Sequence, residues 1–196
     1  MRKLIAAMNM TLDGFCDHTS MIADDELHEH YNDLLSNADT LLYGRITYQL
    51  MESYWPTVVK NPTGNKPTDE FAVLIDDIEK IVFSHTLTNE DPIIAGWKNA
   101  KVPMRDFDQE VLELKQSSNP RSKGILVGSP SLIVAALNLK LVDELQLCVQ
   151  PIIAGKGLPL FKNIRERIDL KLLKTEKLNS SGSDVFYYEP GNLFRL

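Results

Sequence analysis

Short apolar runs alternate with helix-like segments along most of this sequence. Runs rich in Ile, Leu and Val, which read as strands, cover residues 3–10, 39–43, 80–84, 124–127 and 143–150. Segments with apolar residues at helical spacing cover residues 24–36, 47–54, 69–76, 108–117 and 131–139. Strands that alternate with helices are typical of a mostly parallel sheet with helices on both faces. The order therefore predicts an α/β fold.

The C-terminal part breaks this alternation. Residues 168–177 and 184–189 read as two strands around Ser180-Ser181-Gly182, which predicts an antiparallel hairpin. With 196 residues, 43% of them hydrophobic, the chain is long enough for one ordinary core. We expect a single domain over residues 1–190, followed by a tail over residues 191–196.

Three segments between these elements carry weaker signals. Pro, Asn, Thr and Gly are frequent in residues 56–67, which predicts an exposed loop. Residues 89–100 are expected to be irregular, and residues 104–107 to form a short edge strand. Gly155-Lys156-Gly157 lacks the spacing of a phosphate-binding P-loop and is interpreted as a turn.

Composition excludes several classes of function. The net charge of −6 argues against a general binder of nucleic acid or of an acidic membrane surface, because both need an excess of cations. Cys16 and Cys148 lack metal-ligand spacing, and we expect reduced thiols in a cytoplasmic protein. His28 and His30 are two apart on a predicted helix and point to different faces, so we expect solvated helix surface and no metal site.

Two separate pieces of the chain have the form of anion-binding turns. Residues 41–48 and 125–132 each run from an apolar stretch through a glycine, Gly44 or Gly128, into a helix-like segment. This order brings backbone amides and a helix N-terminus up to an anion. Arg45 adds a permanent charge and a planar set of donors suited to phosphate. Two such pieces in one domain predict a ligand with more than one phosphate, and our first hypothesis is a nucleotide cofactor.

Each of these features also has an ordinary interpretation. Gly44-Arg45 can be a simple helix start with Arg45 in a surface ion pair. The turn after Gly128 can be a strand-to-helix loop capped by serine. Asp13 can shape its own turn or belong to a site, and Trp55 can fill the core or line a pocket, with the core as the favoured interpretation.

Five pieces, in order, resemble the dihydrofolate reductase-like superfamily. The sequence is most similar to its branch containing the C-terminal reductase domain of the bifunctional riboflavin-biosynthesis deaminase-reductase and stand-alone relatives. The resemblance lies in residues 11–15, 44–48, 82–86 and 127–132, and in residues 142–145 with the following segment 151–157. It covers nearly the whole chain. It implies a single-domain, three-layer fold with a mixed, mostly parallel sheet and a C-terminal antiparallel hairpin.

The resemblance also implies an activity. Members use NADPH to transfer hydride. The resemblance therefore implies a reductase of a small heterocyclic or ribosylamino-pyrimidine-like substrate, with riboflavin biosynthesis as the candidate pathway. Homodimers are common among them, so a homodimer is expected here. Two alternatives stay open: a non-catalytic nucleotide- or ligand-binding protein on the same fold, and a purely structural or partner-binding domain.

The resemblance assigns roles to residues at matching positions. Cofactor contacts are expected from Ala6, Ala7, Gly44, Arg45, Thr47, Ser84, Thr86, Gly128, Ser129, Ser131 and Leu132. Among these, Arg45 and Thr47 match the phosphate-contacting pair. Asp13 and Gly14 match a turn near the substrate, with Asp13 as the candidate catalytic residue.

Two positions depart from the pattern of these relatives. Ser129 stands where they usually carry a second glycine, and its hydroxyl is then a candidate phosphate ligand. His28 falls where dihydrofolate reductases place a substrate-facing carboxylate. We therefore expect His28 to face the substrate and do not expect folate as that substrate.

Overall fold

Eight strands form one sheet in a computed structural model, which describes residues 1–117 and 122–191. The strands are β1 Leu4–Thr11, β2 Ala38–Gly44, β3 Glu79–Phe83, β4 Ala100–Lys101, β5 Gly124–Val127, β6 Glu144–Gln150, β7 Asp169–Leu178 and β8 Ser183–Gly191. Their order in the sheet is β4-β3-β2-β5-β1-β6-β8-β7. The first six are parallel, whereas β8 and β7 are antiparallel to their neighbours. This confirms the predicted α/β fold with its C-terminal hairpin.

The helices connect these strands. They are α1 Asp25–Ser36, α2 Arg45–Glu52, α3 Trp55–Lys60, α4 Lys66–Asp77, α5 Pro92–Ala95, α6 Phe107–Gln116 and α7 Pro130–Asn138. On one face of the sheet, α6 and α7 pack into a core that includes Val111 and Ile133. On the other face, α1 and α4 pack into a second core that includes Leu34 and Ile75. Burial on both faces explains why the parallel strands are continuously apolar.

The predicted exposed loop over residues 56–67 is confirmed for residues 61–65, but it is wrong for residues 56–60, which belong to α3, and for residues 66–67, which begin α4. Pro56 lies in the first turn of α3, and Pro67 lies in the first turn of α4. Asn65 precedes α4 and its side chain accepts a hydrogen bond from the Thr68 amide at 3.0 Å. Proline is favoured in the first turn of a helix, where its missing N–H is not needed. The prolines therefore mark helix starts here.

The predictions between β3 and α6 also need correction. Residues 104–107 do not form the edge strand, because β4 occupies Ala100–Lys101 and α6 already begins at Phe107. The segment expected to be irregular contains the short helix α5, and Ile94 within it is buried. Pro92 in the first turn of α5 again marks a helix start.

The hairpin strand β7 is an outer edge of the sheet. Leu170, Leu172 and Leu173 on this strand are exposed. Exposed leucines on an edge strand are typical of a surface that pairs with another chain. The expected homodimer stays a prediction.

No helix in residues 1–117 and 122–191 is long and apolar enough to cross a membrane. The predicted tail, residues 191–196, lies outside the described residues apart from Gly191, which ends β8.

Candidate functional site

The two predicted anion-binding pieces meet at one edge of the sheet. β2 and β5 are neighbours, and α2 and α7 begin directly after their carboxyl ends. The Gly44 amide donates a hydrogen bond of 2.9 Å to the Ser129 hydroxyl oxygen, which joins the two turns. Neither helix start has a side-chain cap, so first-turn amides remain as donors. We define Gly44, Arg45, Thr47, Gly128 and Ser129 as the strand-end site.

Arg45 is exposed at the start of α2. One of its Nη atoms donates a hydrogen bond of 2.9 Å to the Gln49 side-chain oxygen. Within the part of the chain that the structure describes, the guanidinium of Arg45 has no ion pair with a carboxylate. The alternative of a surface ion pair is therefore not what is seen, and most of the guanidinium donors remain for an anion.

Ser129 fits its turn without strain. Its φ of −112° and ψ of 128° are ordinary extended values, so no second glycine is required. A Cβ at Gly128 would lie 3.7 Å from Tyr43 Cε1, an ordinary contact. The Ser129 side chain is buried and accepts from Gly44 instead of capping its own helix. The neighbouring Ser131 is exposed, and Leu132 packs against the core.

A cavity of about 480 Å³ opens beside the strand-end site. Thr47, Gly128 and Pro130 line one end of it, and Ala7 and Met8 of β1 line its middle. Helices α1, α3 and α4 close the other end. The size and the mainly apolar lining are typical of a pocket for a small organic ligand. The cavity thus connects the predicted phosphate site to an interior space.

Four aromatic side chains form the helical end of the cavity, and we call them the aromatic wall. They are His28, Tyr31, Trp55 and Phe71. The Trp55 and Phe71 ring centroids are 4.4 Å apart, and the His28 ring meets both rings nearly edge to face. Trp55 lines the cavity and packs against the core, so the favoured interpretation as core alone is incomplete.

The sequence analysis missed three members of this end of the cavity: Asn9, Tyr31 and Phe71. The Tyr31 hydroxyl donates a hydrogen bond of 2.9 Å to the Asn9 side-chain oxygen. An amide side chain inside an otherwise apolar strand was the available signal, because a buried polar group needs a partner or a ligand. Nothing local to Tyr31 or Phe71 distinguishes them from core residues.

His28 lies where the resemblance placed it, in the wall of the cavity. Its Nδ1 is 2.9 Å from the Asp24 carbonyl oxygen. A carbonyl only accepts hydrogen bonds, so Nδ1 carries a proton, and Nε2 has no hydrogen-bond partner among the described residues. Contact between His28 and a substrate stays a prediction.

His30 occupies the opposite side of α1, and the prediction of solvated surface is wrong for it. It is 9% exposed and lies between the rings of Tyr31 and Tyr187. The Tyr187 hydroxyl is 3.5 Å from His30 Nδ1. Burial lowers the pKa of His30 from its usual value. The hairpin strand β8 covers this side of the helix, which the helix's own sequence does not reveal.

The remaining predicted cofactor residues differ in whether they line the cavity. Ala7 lines it, whereas Ala6 faces the other side of the sheet and is fully buried in the core with α7. Ser84 and Thr86 follow β3, next to the end of β2. The Ser84 hydroxyl accepts from the amides of Thr86 and Leu87 at 3.1 and 2.9 Å. Their contact with a cofactor stays a prediction.

Asp13 fastens one loop to another. Its carboxylate accepts hydrogen bonds from the Ala154 and Gly155 amides at 3.1 and 2.7 Å and from the Thr11 hydroxyl at 2.6 Å. Hydrogen bonds from Thr11 and Gly155 lower the pKa of Asp13 to about 2. Asp13 is not among the residues that line the cavity. Its proposed catalytic role stays a prediction that these contacts do not support, since an ionised carboxylate holds no proton to donate.

The same pair of loops forms the rim of the cavity. Gly14 has a φ of +90°, which a glycine adopts without strain, and its carbonyl accepts from the Leu160 amide. Asp17 accepts a hydrogen bond from the Leu158 amide, and both residues line the cavity. Asp17 and Leu158 are rim residues that the sequence analysis did not identify.

Comparisons with known proteins agree with this architecture. The sequence is 33% identical over 196 residues to YyaP, an uncharacterized protein of Bacillus subtilis, covering 97% of this chain and 96% of YyaP. The structure resembles a pyrimidine reductase-like protein from Corynebacterium diphtheriae, with a TM-score of 0.65, 21% identity and coverage of 97% and 92% of the two chains. It also resembles dihydrofolate reductase from Enterococcus faecalis in complex with NADP(H), with a TM-score of 0.60, 13% identity and 96% of each chain covered.

The two structural likenesses confirm the dihydrofolate reductase-like fold that the sequence predicted. The sequence further matches the RibD C-terminal domain over residues 2–183, which is nearly its whole length. The protein therefore belongs to the RibD C-terminal domain family.

Proposed function

We propose that this protein is an NADPH-dependent reductase that transfers hydride to a small heterocyclic substrate. The RibD C-terminal domain family is a family of reductases, which supports an oxidoreductase of the riboflavin-pathway kind. One observation carries the proposal: Thr47 and Gly128 of the strand-end site line the same continuous cavity as the four residues of the aromatic wall. An elongated cofactor needs an anion-binding end that leads to a place where its reactive ring meets a substrate.

The residues at the strand-end site suit the phosphates of such a cofactor. The first-turn amides of α2 and α7 converge on one edge of the sheet, and Arg45 stands beside them without a carboxylate partner in the described residues. Helix N-termini and an arginine fork both favour phosphate oxygens. In this arrangement Arg45 and Thr47 bind phosphate, and Ser84 and Thr86 lie on the adenosine side.

The other residues of the cavity would orient the reactants. NADPH, when bound, supplies the hydride. Ala7 offers a small side chain in the middle of the cavity, which lets a flat ring approach the strand. The aromatic wall excludes water from the far end, and water exclusion strengthens polar contacts with the substrate.

A non-catalytic nucleotide-binding protein is the second candidate. Its supporting observation is the bond between Gly44 and Ser129, because that amide is already occupied and is one donor fewer for phosphate. This candidate predicts that NADPH binds but is not oxidised with any substrate.

Titration with NADPH and NADH tests the proposal. We expect micromolar binding of NADPH with a preference over NADH, and Arg45→Ala to weaken NADPH binding by about tenfold or more, since hydrogen bonds to charged groups contribute about 1.5–3 kcal/mol. Arg45→Lys keeps the charge without the planar fork and should retain part of the affinity.

Arg167→Ala is the matched control. Arg167 is an exposed arginine that precedes β7, at the opposite edge of the sheet, and pairs with Asp169. NADPH affinity that is unchanged in Arg45→Ala, or equally weakened in Arg167→Ala, would contradict the assignment. Failure of the wild-type protein to bind either nucleotide would refute the cofactor itself.

A further inference from the structure

The helical end of the cavity is formed by the rings of the aromatic wall. The wall rings of Tyr31 and Phe71 meet edge to face, with centroids 6.4 Å apart, and Trp55 is tilted by 55° against Phe71. Rings arranged in this way present faces and edges to a flat ligand, and aromatic contacts of this kind favour another aromatic ring. The shape and composition of this end therefore select for planar ligands.

The charge of the residues that line the cavity also restricts which ligands can bind. Among the described residues that line it, none is a lysine or an arginine, and Asp17 places a carboxylate at the rim. Arg45 lies outside this lining, at the strand-end site. A phosphate that enters such a space loses its hydration without gaining a cation, which is strongly unfavourable. The aromatic-wall end of the cavity therefore discriminates against a phosphorylated ligand, whereas the cofactor phosphates would lie at the strand-end site.

Two polar groups at the cavity remain open to a ligand. His28 Nδ1 is held by the Asp24 carbonyl at 2.9 Å, and Nε2 has no hydrogen-bond partner within the described residues. The Asn9 oxygen accepts from the Tyr31 hydroxyl, which leaves the amide hydrogens of Asn9 as donors. An acceptor and a donor beside aromatic rings are complementary to a heteroaromatic ring that carries both N–H and carbonyl or ring-nitrogen groups.

We propose that the substrate of this protein is an uncharged, planar heteroaromatic compound without a phosphate group, bound against the aromatic wall by His28 and Asn9. This inference names the substrate class and rests on the proposed reductase function. It separates this chain from any enzyme whose substrate is a phosphoribosyl compound, because no lysine or arginine among the described residues lines the aromatic-wall end of the cavity to neutralise that phosphate.

A matched pair of ligands tests the inference on the wild-type protein. The probes are 6-hydroxymethylpterin and its phosphate monoester, which share one ring system and differ only in the phosphate. Calorimetry at neutral pH, with and without NADP⁺, measures both affinities. We expect the uncharged compound to bind about tenfold or more tightly than the ester, which corresponds to about 1.4 kcal/mol. Equal binding, or tighter binding of the ester, would overturn the inference.

Variants of the aromatic wall test where 6-hydroxymethylpterin binds. Trp55→Ala should weaken binding of 6-hydroxymethylpterin by about tenfold, from lost stacking and lost burial. Phe161→Ala is the control, because Phe161 is an exposed aromatic residue that does not line the cavity. Pterin binding that survives Trp55→Ala, or that Phe161→Ala weakens equally, would place the compound elsewhere and overturn the inference. Trp55→Leu, which keeps most of the apolar volume, provides the same comparison if the alanine variant does not fold.

The NADPH titration keeps the two proposals separate. NADPH binding with no binding of the pterin overturns the substrate class and leaves the cofactor assignment in place. Pterin binding without NADPH binding overturns the reductase function, and the ligand class of the cavity then stands by itself.

Discussion

The two ends of the site are built in different ways. The strand-end site consists of two local pieces, each a strand that runs through a glycine into a helix, brought together because β2 and β5 are neighbours. The aromatic wall takes two side chains from α1 and one each from α3 and α4. The first end is polar and uses backbone amides and one exposed arginine, whereas the second is apolar and shares its residues with the core. The same cavity therefore joins a surface that tolerates change to a wall that also supports the fold.

Phe71→Ala should have the largest effect on stability. Phe71 is 7% exposed and packs against Trp55, Tyr31 and His28. Truncation of a buried phenylalanine costs about 3–5 kcal/mol through lost burial and the cavity left behind. We expect a loss of this order in the free energy of unfolding, measured by urea denaturation.

The comparison between the two ends provides the control. Arg45→Ala changes an exposed side chain at the strand-end site and should alter the free energy of unfolding by less than about 0.5 kcal/mol. Phe71→Leu, which keeps much of the volume, should lie between these values. Similar losses in Phe71→Ala and Arg45→Ala would show that the two ends do not differ in their contribution to the fold.

The difference between the ends also explains what the sequence could reveal. The strand-end site was predictable because its signals, Gly44-Arg45 and Gly128 before a helix start, are local. The order of strands and helices followed from local periodicity for the same reason. The aromatic wall was not predictable, because Phe71 looks like any core residue until α4 packs against α1. His30 is a similar case, since Tyr187 lies 157 residues away along the chain.

Local sequence signals also gave wrong predictions where the same residue type occurs in two kinds of structure. Pro56, Pro67 and Pro92 belong to segments whose composition predicts a loop or irregular structure, yet each proline lies in the first turn of a helix. Asp13 in its turn resembled a catalytic group, and its partners, the amides of Ala154 and Gly155, come from the other end of the chain. A turn residue identifies the place where a chain changes direction but not the group that its side chain will contact.

Ser129→Ala should have an intermediate effect and tests how the strand-end site is held. The substitution removes the acceptor of the Gly44 amide, and a partly buried donor without a partner costs about 1–3 kcal/mol. We expect a loss of about 1 kcal/mol in the free energy of unfolding. Ser131→Ala is the matched control, because Ser131 is an exposed serine in the first turn of α7, which Ser129 directly precedes. Equal stability of both variants would mean that the Gly44–Ser129 bond does not hold the two turns together.

His30→Gln should have the smallest effect, visible only as a change in pH dependence. Burial, the largest cause, lowers the pKa of His30 below its ordinary value of 6.5, although Glu176 and Asp33 act in the opposite direction. The native protein then keeps a neutral imidazole while the unfolded chain takes up a proton as the pH falls below 6.5, so stability decreases towards acid pH. His28, two residues earlier, faces the cavity instead.

Urea denaturation at about pH 7, 6 and 5 measures this difference. The wild-type protein should lose stability as the pH falls through this range, and His30→Gln should lose less, because its amide does not titrate. An unchanged slope in the variant would assign the acid sensitivity to another group. A reduced slope would show that His30, buried between α1 and the hairpin strand β8, causes part of the acid sensitivity.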